Sequence, residues 1–193
     1  PIEGTSGYDF LHYANGLFVD VTAEDEIDRI YHDMVRLEES YGELAAKNKR
    51  LIVGKHMAGD IDNLALMLKE IANRYRFGAD LTLYSIRRTI VEILAQFPVY
   101  RTYATAQELT ASDRQVLRDV IEDCKSSIPI LSNELNLISS YLLGDEEQGL
   151  SEEDRRLWNG FLLRLQQYTG PVMAKGVEDT VFYIYNRLSS LNE

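Results

Sequence analysis

The chain has 193 residues, of which 45% are hydrophobic and 26% charged, and its formal net charge is -11. This length suits one domain with a full core, and the composition is that of a packed globular protein, which excludes disordered, collagen-like and coiled-coil classes. The negative charge disfavours nucleic acid and anionic membranes as partners, because binding to either depends on clustered lysine and arginine. No stretch approaches the roughly 18 consecutive apolar residues of a membrane span.

The first 21 residues are rich in glycine, asparagine and aromatic side chains, and predict a loop with one short helical turn. Helices are predicted over about 23–37 and 42–56. A third helix opens at Asp60, where apolar residues recur at every third or fourth position and form one stripe. They are Ile61, Leu64, Ala65, Leu68, Ile71, Ala72 and Tyr75.

A fourth helix, capped by Asp80, is predicted to end at Pro98, which has no backbone N–H to donate. The residues that follow, PVYRTYA at 98–104, are β-branched and aromatic. Such a run predicts one short strand.

The next helix is predicted to begin at Thr110 and to carry Cys124 on its apolar face. Because Cys124 is the single cysteine, it cannot form a disulfide within the chain, and we expect a buried thiol in a cytoplasmic protein. Another helix follows Pro129. The last long helix is predicted to begin at a Ser151 cap and to end at Gly170-Pro171.

The window PVMAKGVED at 171–179 has two interpretations. If it is extended, Glu178 and Asp179 point to opposite faces, and barrel enzymes place catalytic carboxylates at the ends of strands. Alternatively, Asp179 caps a helix that begins at Thr180, and Glu178 is simply solvated.

The remaining motifs exclude several chemistries. The three histidines have no metal-ligand partners at helical or hairpin spacing, so neither a metal site nor a cofactor is predicted.

Tyrosines cluster beside arginines around residues 100–103 and again around 183–187. Aromatic faces next to polar groups suit sugar rings, and ordinary packing is the alternative.

Four blocks of sequence resemble the signature blocks of the maltooligosyl trehalose synthases, a family of the α-amylase superfamily. In order along the chain they are GTSGYDFL at 4–11, NGLFVD at 15–20, FPVYRTY at 97–103 and GPVMAKGVEDTVFY through YNRLSSLNE at 170–193. Where the family reads FYRYNR, this chain has Ile184 in place of the arginine and so lacks that guanidinium. Ser6 and His12 are milder departures.

The resemblance implies a mainly α fold, a helical bundle inserted in, and cut out of, a (β/α)8 barrel glycosidase, with one or two short strands. Residues 1–193 would be one mainly helical domain within a larger enzyme. Residues 23–97 would be the helical insertion, and residues 98–193 the strand and helix segments derived from the barrel. The partners implied are a maltooligosaccharide substrate and the remainder of the same polypeptide.

The resemblance also implies roles for single residues. Asp179 stands where the superfamily has its third catalytic carboxylate, with Glu178 in place of the usual histidine. The nucleophile and the acid/base would precede Pro1, so the segment alone is expected to be inactive. Substrate contacts are implied for Tyr8, Tyr100, Arg101, Tyr103, Lys175, Glu178 and Tyr183.

The implied reaction converts the reducing-end α-1,4 bond of a maltooligosaccharide to an α,α-1,1 bond by intramolecular transglycosylation. Two other functions remain open from the sequence. One is a non-catalytic helical interaction module, which would expose a large apolar patch. The other is a related glucanase that hydrolyses the bond.

Overall fold

The computed structural model describes most of the chain, namely residues 6–36, 39–75, 78–105, 109–143 and 151–188. These residues form eight α-helices. In chain order they are α1 (Ser6–Gly16), α2 (Glu24–Val35), α3 (Tyr41–His56), α4 (Ala58–Ala72), α5 (Leu83–Gln96), α6 (Ala111–Ser127), α7 (Ser132–Leu142) and α8 (Glu152–Met173). Short 3₁₀ turns lie at Val21–Ala23, Pro129–Leu131 and Val181–Tyr183, and one π-helical turn, Ala174–Glu178, extends α8. The mainly α prediction is confirmed.

Hydroxyl caps begin four of the helices. The Oγ1 atom of Thr110 accepts from the Asp113 backbone N–H, and the Asp113 side chain accepts from the Thr110 backbone, which completes a capping box. The predicted Ser151 cap is also present. The prediction at Asp80 is wrong, because Thr82 caps α5 instead.

The core is centred on α4 and α5, which pack against each other and against α3 and α8. The predicted stripe on α4 is buried: Ile61, Leu64, Leu68 and Ile71 are at most 1% exposed. Burial of each such side chain stabilises the fold by about 1.5–3 kcal/mol. Cys124 joins the same core, and its burial raises the pKa of its thiol.

The predicted strand at 98–104 is not formed. Residues 101–105 are irregular and lie along α8, whose side chains take up their hydrogen bonds. The Oγ1 atom of Thr169 donates to the Tyr100 carbonyl at 2.7 Å, and Nε2 of Gln166 donates to the Ala104 carbonyl at 2.8 Å. A strand needs a neighbouring strand for these bonds, and within the described residues none is present.

The prediction that Gly170-Pro171 ends the last helix is also wrong, since α8 continues to Met173 and then through the π-helical turn. Proline disfavours a helical residue before it mainly through a clash with that residue's Cβ and N–H. Gly170 has no Cβ, so it accepts the helical conformation more easily than another residue would.

A buried ion pair joins α3 to α5. The guanidinium of Arg50 donates to both carboxylate oxygens of Glu92, at 2.6 and 2.8 Å, and Gln96 donates to one of them at 2.9 Å. Burial opposes ionisation of Glu92, but the hydrogen bonds from Arg50 and Gln96 outweigh it, and the pKa of Glu92 lies below its ordinary value.

We expect Glu92→Gln to lower the free energy of unfolding by about 2 kcal/mol, because an amide then replaces the buried carboxylate that accepts from both Arg50 and Gln96, and Arg50 loses its anion. Glu122→Gln, at an exposed position of α6, is the control and should change it by less than about 0.5 kcal/mol. Urea unfolding of both variants measures the difference. Equal stabilities would contradict a structural role for the pair.

Candidate functional site

The polar end of α8 contains the residues predicted to carry chemistry. The π-helical turn is closed by the Asp179 backbone N–H, which donates to the Ala174 carbonyl at 2.9 Å. The Thr180 hydroxyl donates to the Lys175 carbonyl at 2.7 Å and so satisfies another carbonyl at the helix end. The extended interpretation of the window is therefore wrong, and a helix end presents Asp179.

The charged side chains of this turn face solvent. The ammonium of Lys175 contacts the Asp179 carboxylate four residues later, and the two side chains are 66% and 54% exposed. Glu178 is half-buried. The turn thus brings Lys175, Glu178 and Asp179 together and leaves the carboxylate of Asp179 accessible.

The apolar side of the same turn is packed against α3. Val177 and Val181 are buried with Leu44 and Ala45 in a small second core. Gly176 makes the closest approach, since a Cβ built there would lie 2.8 Å from Cγ and 3.0 Å from Cα of Lys49. A glycine at this position lets the backbone of the turn lie directly on α3.

Lys49 itself is buried below the turn. Its Nζ donates to the Phe97 carbonyl at the end of α5, at 2.6 Å, and the residue is 4% exposed. Burial lowers the pKa of this ammonium to about 8. In the unfolded chain the pKa is near its ordinary value, so between pH 8 and about 10.5 the unfolded chain binds more protons than the folded one.

It follows that the free energy of unfolding gains a contribution of the order of 3 kcal/mol from Lys49 as the pH rises through this window. Urea unfolding of the wild type and of Lys49→Met at pH 7 to 10.5 tests the sign, since the wild type should gain stability relative to the variant with rising pH. The exposed Lys47→Met is the matched control in the same helix. A difference between wild type and Lys49→Met that does not change with pH would show that the ammonium has its ordinary pKa.

The segment 99–103 lies beside the body of α8. Tyr100 and Tyr103 are 48% and 78% exposed, and the Arg101 guanidinium lies 5.5 Å from the centre of the Tyr103 ring. Tyr100 contacts the position of Gly170, 3.9 Å away. A rise of 1.5 Å per residue puts Lys175 about 8 Å farther along the helix axis, beyond the end of α8 at Met173.

Tyr185 fixes the chain beyond the turn, a role that the sequence reasoning missed. Its ring lies 5.3 Å from that of Tyr31 and 5.5 Å from that of Tyr41, edge to face in both cases. The Asn186 backbone N–H donates to the Tyr31 hydroxyl at 3.0 Å. Apart from the cluster of tyrosines around 183–187, nothing in the sequence pointed to this contact, because the partners are more than 140 residues apart.

Two further residues predicted to contact substrate are Tyr183 and Tyr8. Tyr183 follows the turn and lies at the surface, 80% exposed, and it takes no part in the packing of Tyr185 on Tyr31 and Tyr41. Tyr8 lies in α1, and its side chain falls outside the described part of the structure.

The chemistry available at this end of α8 is that of one accessible carboxylate, a lysine and exposed aromatic rings. Carboxylates accept hydrogen bonds from sugar hydroxyls, and aromatic faces pack on the apolar faces of sugar rings. Over the described ranges no cluster of three or more histidine, cysteine or acidic side chains could hold a metal ion, and no described helix is long and apolar enough to cross a membrane.

The comparisons with known proteins place the whole chain beside one kind of enzyme. A putative maltooligosyl trehalose synthase of Mycobacterium tuberculosis is 26% identical over all 193 residues, which cover 22% of that protein. The structure of maltooligosyltrehalose synthase from Arthrobacter ramosus superposes with a TM-score of 0.71 at 28% identity, over 100% of this chain and 22% of that one. A hypothetical maltooligosyl trehalose synthase of Sulfolobus tokodaii gives 0.60 at 30% identity, over 100% and 20% of the two chains.

These matches confirm the resemblance seen in the sequence. The chain spans about a fifth of the length of the relatives that it matches. No protein-family profile matches it.

Proposed function

We propose that this chain, which has maltooligosyl trehalose synthases as homologues along its whole length, works within a longer polypeptide that forms trehalose ends on maltooligosaccharides. The reaction would be an intramolecular transglycosylation of the isomerase class, by the retaining chemistry of the α-amylase superfamily. The observation that carries the proposal is the structural match over the whole chain at 28% identity. The buried single thiol of Cys124 supports a reducing compartment, the cytoplasm.

Within that polypeptide we assign the residues 23–97 to a helical insertion and the residues 98–193 to strand and helix segments derived from the barrel. In the second part the π-helical turn has its apolar side packed on α3, while its charged side faces outward and is accessible to a substrate. Single π-helical turns are frequent at functional sites.

Asp179 is proposed as the third catalytic carboxylate, with Tyr100, Arg101, Tyr103, Lys175, Glu178 and Tyr183 as sugar contacts and Tyr8 as a further one. The accessibility of Asp179 supports a role in contact with substrate. To act as a full charge toward the transition state, its carboxylate would exchange the contact with Lys175 for one with the sugar.

The remainder of the polypeptide is proposed as the partner of the N-terminal helices. Their large apolar side chains are unusually exposed: Phe10, Tyr13, Leu17, Phe18 and Val21 are 74–90% exposed. A patch of this kind marks a contact surface. The same patch would suit a non-catalytic interaction module, which is the second candidate.

Incubation with maltopentaose distinguishes these functions. With the full-length polypeptide we expect reducing ends to disappear while a non-reducing trehalose-ended product accumulates, because the α,α-1,1 bond uses both anomeric carbons. An increase of reducing ends would indicate a hydrolytic glucanase, and no change would favour the interaction module. The 193-residue chain alone is expected to be inactive, because retaining chemistry needs a nucleophile and an acid about 5 Å apart.

A further inference from the structure

A cavity of about 420 Å³ is lined by residues of α3, of α5 and of the end of α6. Its walls are apolar over most of their surface, and three of the seven residues in them are arginines. The walls comprise Arg50, Tyr84, Arg87, Arg88, Val91, Glu92 and Ile128. This volume lies within the range of small-molecule sites.

The three arginines of the cavity are held in different ways. Arg50 is fixed by its two hydrogen bonds to the buried Glu92. Arg87 lies 2.9 Å from a carboxylate oxygen of Asp62. The guanidinium carbon of Arg88 lies 5.8 Å from the centre of the Tyr84 ring, and among the described residues Arg88 has no ion pair.

The charge of the walls is opposite to that of the chain. The chain has 31 acidic and 20 basic residues, whereas the cavity is lined by three arginines and one acid, a formal charge of +2. If Asp62 is counted with Arg87, the charge is still +1. Such a concentration of guanidinium groups in an acidic protein attracts a small anion.

We propose that this cavity binds a small phosphate-bearing molecule, whose phosphate is held by Arg87 and Arg88 beside Tyr84. The planar guanidinium matches the geometry of two phosphate oxygens. Arg50 supplies a third guanidinium to the cavity wall. Because Glu92 is bonded to Arg50, it leaves Arg88 available to the ligand. Val91 and Ile128 offer an apolar surface to the rest of the ligand.

Calorimetric titration of the full-length polypeptide with glucose 6-phosphate, inorganic phosphate and glucose tests the proposal at constant salt. We expect one site per chain with a Kd below about 1 mM for glucose 6-phosphate, weaker binding of inorganic phosphate, and none of glucose at this site. Arg88→Ala and Arg87→Ala should each weaken binding by about ten-fold or more. The control is Arg118→Ala, an exposed arginine of α6 that is not part of the cavity.

Melting curves of the Arg88 and Arg87 variants are measured alongside, so that a loss of binding can be separated from a loss of structure. The proposal is overturned if no phosphate compound binds, if Arg88→Ala binds as tightly as the wild type, or if Arg118→Ala loses as much as Arg88→Ala. Equal competition by chloride would mean an adventitious ion only. Since none of these results depends on trehalose formation, they leave the proposed activity untouched.

Discussion

Replacing Asp179 by asparagine in the full-length polypeptide is expected to lower turnover of maltopentaose by about 100-fold or more, with a much smaller change in KM. A carboxylate that acts on developing positive charge contributes mainly in the transition state, and its loss falls on the chemical step. Trehalose-end formation, followed as the loss of reducing ends, measures the effect.

The structure makes this variant easy to interpret. Asp179 is more than half exposed, and its pair with Lys175 spans one turn of the same helix. Exposed pairs at this spacing contribute about 0.3–0.5 kcal/mol, so the substitution should leave the fold intact. A fall in turnover would therefore not come from unfolding.

Two matched variants separate the possible roles. Lys175→Met removes the partner of Asp179 and one proposed sugar contact but keeps the carboxylate, so KM should rise while turnover stays within a few-fold of the wild type. Glu178→Gln should also have a smaller effect than Asp179→Asn. Near-normal turnover in Asp179→Asn with a collapse in Glu178→Gln would move the catalytic role to Glu178, and normal turnover in both would remove this turn from the chemistry.

Gly176→Val is expected to have the largest effect on stability, a loss of about 3 kcal/mol in the free energy of unfolding. The position of its Cβ is 2.8 Å from Cγ and 3.0 Å from Cα of Lys49, and Lys49 is itself buried and bonded to Phe97. Neither the backbone of α3 nor the stem of this lysine has room to move away, so the turn must lift from α3. Urea unfolding gives the total loss, and amide exchange shows whether 174–185 lose protection first.

Gly54→Ala in α3 is the matched control. A Cβ at Gly54 meets nothing within 4 Å, and an alanine inside a helix is more favourable than a glycine by about 0.5–1 kcal/mol. This variant should be more stable than the wild type. If Gly176→Val were equally well tolerated, the turn would not rest on α3.

Local patterns in the sequence were sufficient for most helices. The α4 stripe and the caps at Thr110 and Ser151 depend on residues three or four positions apart, and those interactions are formed within one helix. The sequence blocks pointed to the same kind of enzyme that the comparisons found, because the chain resembles those synthases from one end to the other.

One error falls where a segment depends on partners far away in the chain, and the others are local. PVYRTYA has the composition of a strand, but a strand forms only beside another, and here Thr169 and Gln166 of α8 satisfy its carbonyls instead. Gly170-Pro171 looks like a stop signal, yet the missing Cβ of glycine lets α8 pass through it.

The sequence by itself thus determined most of the helices, the buried register of α4 and of Cys124, and the likeness to the synthases, because each rests on neighbouring residues or on the order of the sequence blocks along the chain. The tertiary structure alone decided that Asp179 stands at a helix end, that Tyr185 is held between Tyr31 and Tyr41, and that three arginines meet at one cavity. The packing of Tyr185 and the cavity join residues that are distant in the chain, and the position of Asp179 depends on a helix that continues past its stop signal. None of these follows from local propensity.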